Sequence, residues 1–139
     1  MTLATVHLII VSFWLGLLAA ETALELNARD ASSTRTVARV HRWIDLCFEG
    51  PTAIAVLVTG GWLMARAWPA PPLVVLHGAA GVVPALVNLL CVGYVLARAR
   101  TDDESEARAL TRKVKLTGYA IPFIFIAMAI GLVFLHPGA

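Results

Sequence analysis

Apolar positions along the chain gather into four long runs separated by short polar stretches. The runs cover residues 3–26, 44–68, 73–97 and 116–135, each close to the roughly 20 residues an α-helix needs to cross a ~30 Å hydrocarbon core. None breaks into the short alternating segments of a transmembrane barrel. The pattern predicts an all-α integral membrane four-helix bundle forming one domain over residues 1–139, with connections too short to hold a separate soluble domain. The first run is too long for a secretory signal, has no basic residue before it and carries Glu21 and Glu25 where a cleavage site would lie, so it is read as a helix.

The polar stretches also read as helix. "DASSTRTVARVHRW" offers Ser32, Ser33 or Thr34 as an N-cap, and "TDDESEARALTRKVK" opens with acids and closes with bases, as a helix dipole prefers. The bundle is therefore expected to project a turn or two beyond the bilayer at that end.

Charge sets the expected orientation. Arg29, Arg35, Arg39 and Arg42 fall between the first two runs, and Arg98, Arg100, Arg108, Arg112, Lys113 and Lys115 between the last two, leaving Arg66 alone on the other side. The positive-inside rule then places both basic loops in the cytoplasm and both termini outside, in a bacterial-type inner membrane. Composition agrees with a bilayer as the main partner: 59% of residues are hydrophobic, 14% are charged and mean hydropathy is +0.79. A net charge of only +2, with Asp102, Asp103, Glu104 and Glu106 among the bases, argues against nucleic acid as a partner. Phosphate loops and nucleophile elbows are absent from the sequence. Cys47 and Cys91 lie inside the runs and read as small buried apolar residues rather than a disulfide.

Four acids remain inside or at the ends of the runs: Glu21, Glu25, Asp45 and Glu49. A carboxylate in hydrocarbon costs several kcal/mol unless it is paired, protonated, hydrated or bound to metal. In "HRWIDLCFEGP", His41, Asp45 and Glu49 recur at every fourth residue, and Glu21 and Glu25 share the same spacing. A hairpin turn near Asp30 to Ser32 puts Glu21 and His41 at one depth, Asp45 about 6 Å deeper, and Glu25 shallower. Carboxylates and imidazole on facing helices suit iron or manganese, with zinc or copper as further candidates, although the spacing differs from the Glu-x-x-His of soluble di-iron bundles. Three functional classes share these residues. They are a metal-dependent membrane oxidoreductase acting on a small molecule or quinone, a proton- or cation-coupled transporter working as a homo-oligomer, and an accessory subunit whose acids pair with Arg39, Arg42 or Lys115 at the interface.

A second constellation is His7 with His77, near the outer ends of the first and third runs. Imidazoles facing one another across a bundle are axial ligands for b-type haem, and Gly16, Gly60, Gly61 and Gly81 would let a large ring approach the backbone. His7, Trp14 and Gly16 form a His-x6-Trp-x-Gly opening, followed by Gly50-Pro51 and Gly60-Gly61-Trp62-Leu63, then His77, Pro122 and Pro137. This series resembles the small four-helix membrane proteins of the HemJ-type protoporphyrinogen oxidase and copper-resistance protein D group. The resemblance implies a four-helix membrane fold that binds haem, with His7 at the position of the oxidase's functional histidine. The chain departs from the oxidases at Gly78, Ala79 and Ala80, where they carry a lysine, and at Gly118 and Tyr119, where they carry Asn-Glu. It also adds Glu21, Glu25, Asp45 and Glu49, which that pattern does not require.

Among the other polar residues, Asn88 needs a partner in the bilayer, on a neighbouring helix or beside Glu49. Tyr94 and Tyr119 are read as interfacial anchors or partners of the acids, Trp43, Trp62 and Trp68 as belt aromatics, and Cys91 and Met128 as core.

Overall fold

The computed structural model describes residues 1–27 and 31–135. The turn near Asp30, together with His136 and Pro137, lies outside them. The described chain is helical, with no strand. In order it forms α1 (Leu3–Asn27), α2 (Ala31–Ile44), a π-helical turn (Asp45–Glu49), α3 (Gly50–Arg66), α4 (Pro72–Arg98), α5 (Glu104–Thr117), a 3-10 turn (Gly118–Ala120) and α6 (Ile121–Leu135). Because α2 runs through the π turn into α3, and α5 through the 3-10 turn into α6, these elements make four rods. Each rod contains a helix long and apolar enough to cross a membrane: Leu3–Asn27, Arg35–Arg66, Pro72–Arg98 and Glu104–Val133.

Two rods therefore begin before their apolar runs, because the amphipathic segments α2 and α5 continue straight into them. Asp103 caps α5, its carboxylate accepting from the backbone N–H groups of Ser105 at 2.7 Å and Glu106 at 3.4 Å. Ser32, Ser33 and Thr34, the expected cap candidates, lie within α2 rather than ahead of it.

Prolines explain both departures from α geometry. Pro51 has no N–H to give the carbonyl four residues back. The helix just before it opens into a π turn, in which the Gly50 N–H reaches the Asp45 carbonyl five residues away. Pro122 likewise leaves the Gly118 carbonyl without its usual donor, and the Ile121 N–H takes that carbonyl in a 3-10 bond.

The central rod is α4, which packs on α3, α5 and α6 and touches α2. α1 packs on α2 and α3. The apolar core is Trp14, Ala53, Val56, Ala85 and Ile124, drawn from all four rods, with a smaller cluster of Cys91, Val95 and Val114. The outer surface is also apolar, with Phe13 51%, Leu86 54% and Val133 59% exposed. An apolar exterior around a polar interior is the arrangement a bilayer favours, and the four spans describe a multi-pass membrane protein.

Candidate metal centre

All the buried polar or charged side chains among the described residues, Glu21, Glu25, His41, Asp45, Glu49, Asn88 and Arg98, belong to one connected cluster. α1 supplies Glu21 and Glu25, α2 supplies His41, the π turn supplies Asp45 and Glu49, and α4 supplies Asn88 and Arg98.

The π turn gives the stripe its common aim. In a regular α-helix each step of four residues overshoots a full turn by about 40°, so His41, Asp45 and Glu49 would drift apart around the axis. A wider turn rotates the chain less per residue and cancels part of that drift. Gly50 belongs to the same device, since a Cβ there would stand 3.0 Å from the Asp45 carbonyl oxygen.

Glu21, His41, Asp45 and Glu49 each offer one ligand atom, and these atoms lie within 4.8 Å of one another. The His41 Nε2 is 3.4 Å from Glu21 Oε2 and 3.8 Å from Asp45 Oδ1. A single ion with ligand bonds of about 2.1 Å brings opposite donors to about 4.2 Å, so small side-chain adjustments would close this set on one ion.

Outer partners hold the set in place. Glu25 Oε1 accepts from His41 Nδ1 at 2.8 Å and from Arg98 Nη2 at 2.7 Å. With Nδ1 bonded to Glu25, His41 presents Nε2 toward Glu21 and Asp45, and a neutral ring with its proton on Nδ1 would offer that nitrogen to an ion. On the other flank, the Asn88 amide donates to Glu49 Oε1 at 2.6 Å, and the Trp14 indole N–H donates to Asn88 Oδ1 at 3.1 Å. Trp14 thereby fixes which end of the Asn88 amide faces Glu49.

Glu21 Oε1, both Asp45 oxygens and Glu49 Oε2 are buried without a hydrogen-bond donor. Asp45 is 0% and Glu49 1% exposed, so bulk water does not supply one. Buried carboxylate oxygens without donors call for protons or a cation among them. One shared proton satisfies one or two of the oxygens, whereas a metal ion satisfies a ligand from each residue.

The centre opens into a cavity of about 330 Å³. Glu21, His41 and Glu49 lie at its polar base, and Leu18, Pro84 and Ile121 are among its walls.

The sequence-expected ligands therefore divide. Glu21, His41, Asp45 and Glu49 converge, and the depth argument for Glu21 and His41 agrees with their contact. Glu25 stands outside that four-residue set and acts on His41, because its Oε1 already serves Arg98. The guanidinium that enters the cluster is that of Arg98, read in the sequence as one more loop base, while Arg39 and Arg42 are exposed. Trp14 had no visible role beyond its motif, since a buried indole N–H partner cannot be read from spacing. Asn88 combines its two expected roles, bonding to neighbouring rods and meeting Glu49.

The structure places His7 and His77 away from this cluster. His7 Nδ1 pairs with Thr59 Oγ1 at 2.7 Å, and His77 Nδ1 donates to the Ala127 carbonyl at 2.8 Å. Each ring lies against a glycine: a Cβ on Gly60 would be 3.2 Å from His7 Cε1, and one on Gly131 would be 3.1 Å from His77 Cε1. The glycines thus let the imidazoles join α1 to α3 and α4 to α6. Neither His7 nor His77 lines the cavity at the acid cluster. Of the cysteines, Cys47 is exposed, and Cys91 lines the main cavity but is not one of the four converging residues.

No family model, curated protein or solved structure matches this chain.

Proposed function

We propose that the chain is a membrane metalloprotein of oxidoreductase type, in which Glu21, His41, Asp45 and Glu49 hold one transition-metal ion. The observation that carries this reading is the convergence of four buried ligand atoms within 4.8 Å, with four carboxylate oxygens lacking donors. Three oxygen donors and one imidazole favour iron or manganese over the thiolate-seeking ions, since neither cysteine joins the set. When bound, the ion supplies redox or Lewis-acid chemistry that an apolar bundle lacks. The protein's own part is to orient His41 through Glu25 and Arg98, to present Glu49 through Asn88 and Trp14, and to keep bulk water from the ligands. The basic residues at this end of the bundle support a cytoplasmic placement of the centre in a bacterial-type inner membrane.

The geometry favours a resident ion over a transported one. Between the acids and the level of His7 and His77 lies the apolar layer of Trp14, Ala53, Val56, Ala85 and Ile124, which lines no polar path for a cation through the core of a single bundle. Haem, implied by the family resemblance, would fall to His7 and His77, whose rings are packed between rods. A Soret band lost in His7→Ala would restore that reading.

The direct test is elemental analysis of detergent-purified protein beside Glu49→Gln, His41→Ala and, as a surface control, Glu104→Gln. About one iron or manganese per chain is expected in the parent and in the control, with loss in the other two. Equal metal content in all four would overturn the proposal.

A further inference from the structure

The cavity above the acid cluster has a definite shape and polarity. It opens on the flank of the bundle, between α1 and the rod made by α5 and α6. Leu18, Thr22 and Leu26 line one side and Thr117, Tyr119 and Ile121 the other. Those two rods diverge here because α1 is packed on α2 and α3, while the α5–α6 rod is packed on α4. The 3-10 turn forced by Pro122 forms part of the wall: Gly118, Tyr119 and Ala120 all line the cavity. The chain thus changes its helical winding beside the metal ligands on two rods, once at the π turn and once here.

At about 330 Å³ the cavity falls at the lower end of the roughly 300–1,000 Å³ of small-molecule sites, and it shares their build of apolar walls with a few converging polar groups. The buried polar groups in its lining are Glu21, Glu25, His41, Glu49 and Asn88, all of the acid cluster, so an occupant that fits is amphipathic, with its polar head against them. The sign of that head follows from charge. Arg98 balances Glu25, while Glu21, Asp45 and Glu49 leave this end of the cavity acidic, which disfavours a carboxylate or phosphate head. Lys115 belongs to the exposed rim and not to the base. The rim also carries Leu26 at 72% and Tyr119 at 78% exposure, within or beside the spans, so the way in is from the bilayer's side.

We infer that this cavity binds a neutral, lipid-soluble molecule with a carbonyl or hydroxyl head, entering between α1 and the α5–α6 rod to set that head at the metal centre. The chemistry done on the head rests on the metal reading above; the binding rests on the cavity.

The test uses the full chain in lipid nanodiscs and a ten-carbon primary alcohol with a diazirine at its far end, photolysed and mapped by mass spectrometry. Its carboxylate counterpart serves as the charged comparison, and metal content is measured on the same samples. Labelling is expected on Leu18, Thr22, Tyr119 and Ile121, reduced roughly fivefold or more by excess decyl benzoquinone and weaker with the carboxylate. Gly118→Phe should reduce it likewise, because a Cβ at Gly118 meets nothing within 4 Å and the ring can fill the space. Gly118→Leu gives the same reading if the larger residue impairs folding, and Leu86→Phe on the outer surface should change nothing. Labelling spread over outward residues such as Phe13 and Val133, or unaltered by either Gly118 variant, overturns the inference. Metal retained without cavity labelling sinks the binding site alone, whereas cavity labelling without metal upholds the binding site and sinks the metal reading.

Discussion

Glu25 Oε1 lies 2.8 Å from His41 Nδ1 and is held in turn by Arg98 Nη2 at 2.7 Å, so one carboxylate oxygen links a base at the end of α4 to the imidazole of the candidate metal centre on α2. An outer partner of this kind typically changes metal affinity by 10–100-fold. Glu25→Gln is therefore expected to weaken iron or manganese binding about tenfold while Glu49→Gln abolishes it, read from competition with a graded series of chelators.

Removing Arg98 alone leaves Glu25 buried without its cation. Arg98→Met should destabilise the fold by several kcal/mol, and adding Glu25→Leu should recover only part of that loss, because a buried pair replaced by apolar groups is often neutral but His41 Nδ1 then loses its acceptor. Metal affinity should stay low in the double variant. Unfolding by a denaturing detergent, followed beside metal titration, separates the two effects; recovery of both together would show that the pair acts only on stability.

Pro51 and Gly50 shape the π turn. Pro51→Ala restores an N–H able to bond the Cys47 carbonyl, so the segment should relax to α-helix, gain about 1 kcal/mol of backbone hydrogen bonding and rotate Glu49 away from Asp45. Metal affinity should fall at least about tenfold, with thermal stability unchanged or raised. Loss of both together would instead mark Pro51 as a packing residue.

Trp14→Phe keeps most of the ring volume and removes the N–H that orients Asn88. A cost of about 1 kcal/mol is expected, with a smaller loss of metal affinity than in Asn88→Leu, which also leaves Glu49 Oε1 without its donor.

Asp103 provides a pH signature away from the centre. Its bonds to Ser105, first the side-chain and then the backbone contribution, and to the Glu106 N–H hold its carboxyl below the usual range. A lowered folded-state value means the stabilisation is complete above the ordinary aspartate range and is lost as pH falls through the folded-state value. Amide exchange at Ser105 and Glu106 should therefore accelerate on acidification, beyond its intrinsic change, and Asp103→Asn should cap the helix without that dependence.

The sequence by itself determined the four apolar rods, since a backbone in hydrocarbon must satisfy its hydrogen bonds within each helix and needs about 20 residues to cross. It also marked Glu21, His41, Asp45 and Glu49, because the four-residue spacing of the last three and the shared depth of Glu21 and His41 follow from helix geometry alone. Whether those stripes faced one another was decided only by packing. The rotation of each rod about its axis is set by contacts such as Trp14 against Ala53 and Ile124, which local spacing does not encode. The same holds for Glu25, whose spacing matches Glu21 but whose carboxylate is claimed by Arg98, 73 residues away in sequence. Gly50-Pro51 was legible as a motif, yet its effect, a π turn that re-aims Glu49, required a helix held in place on both sides. Chain-local physics fixed the elements and the candidate donors, and the long-range packing of α4 sorted ligands from the residues that orient them.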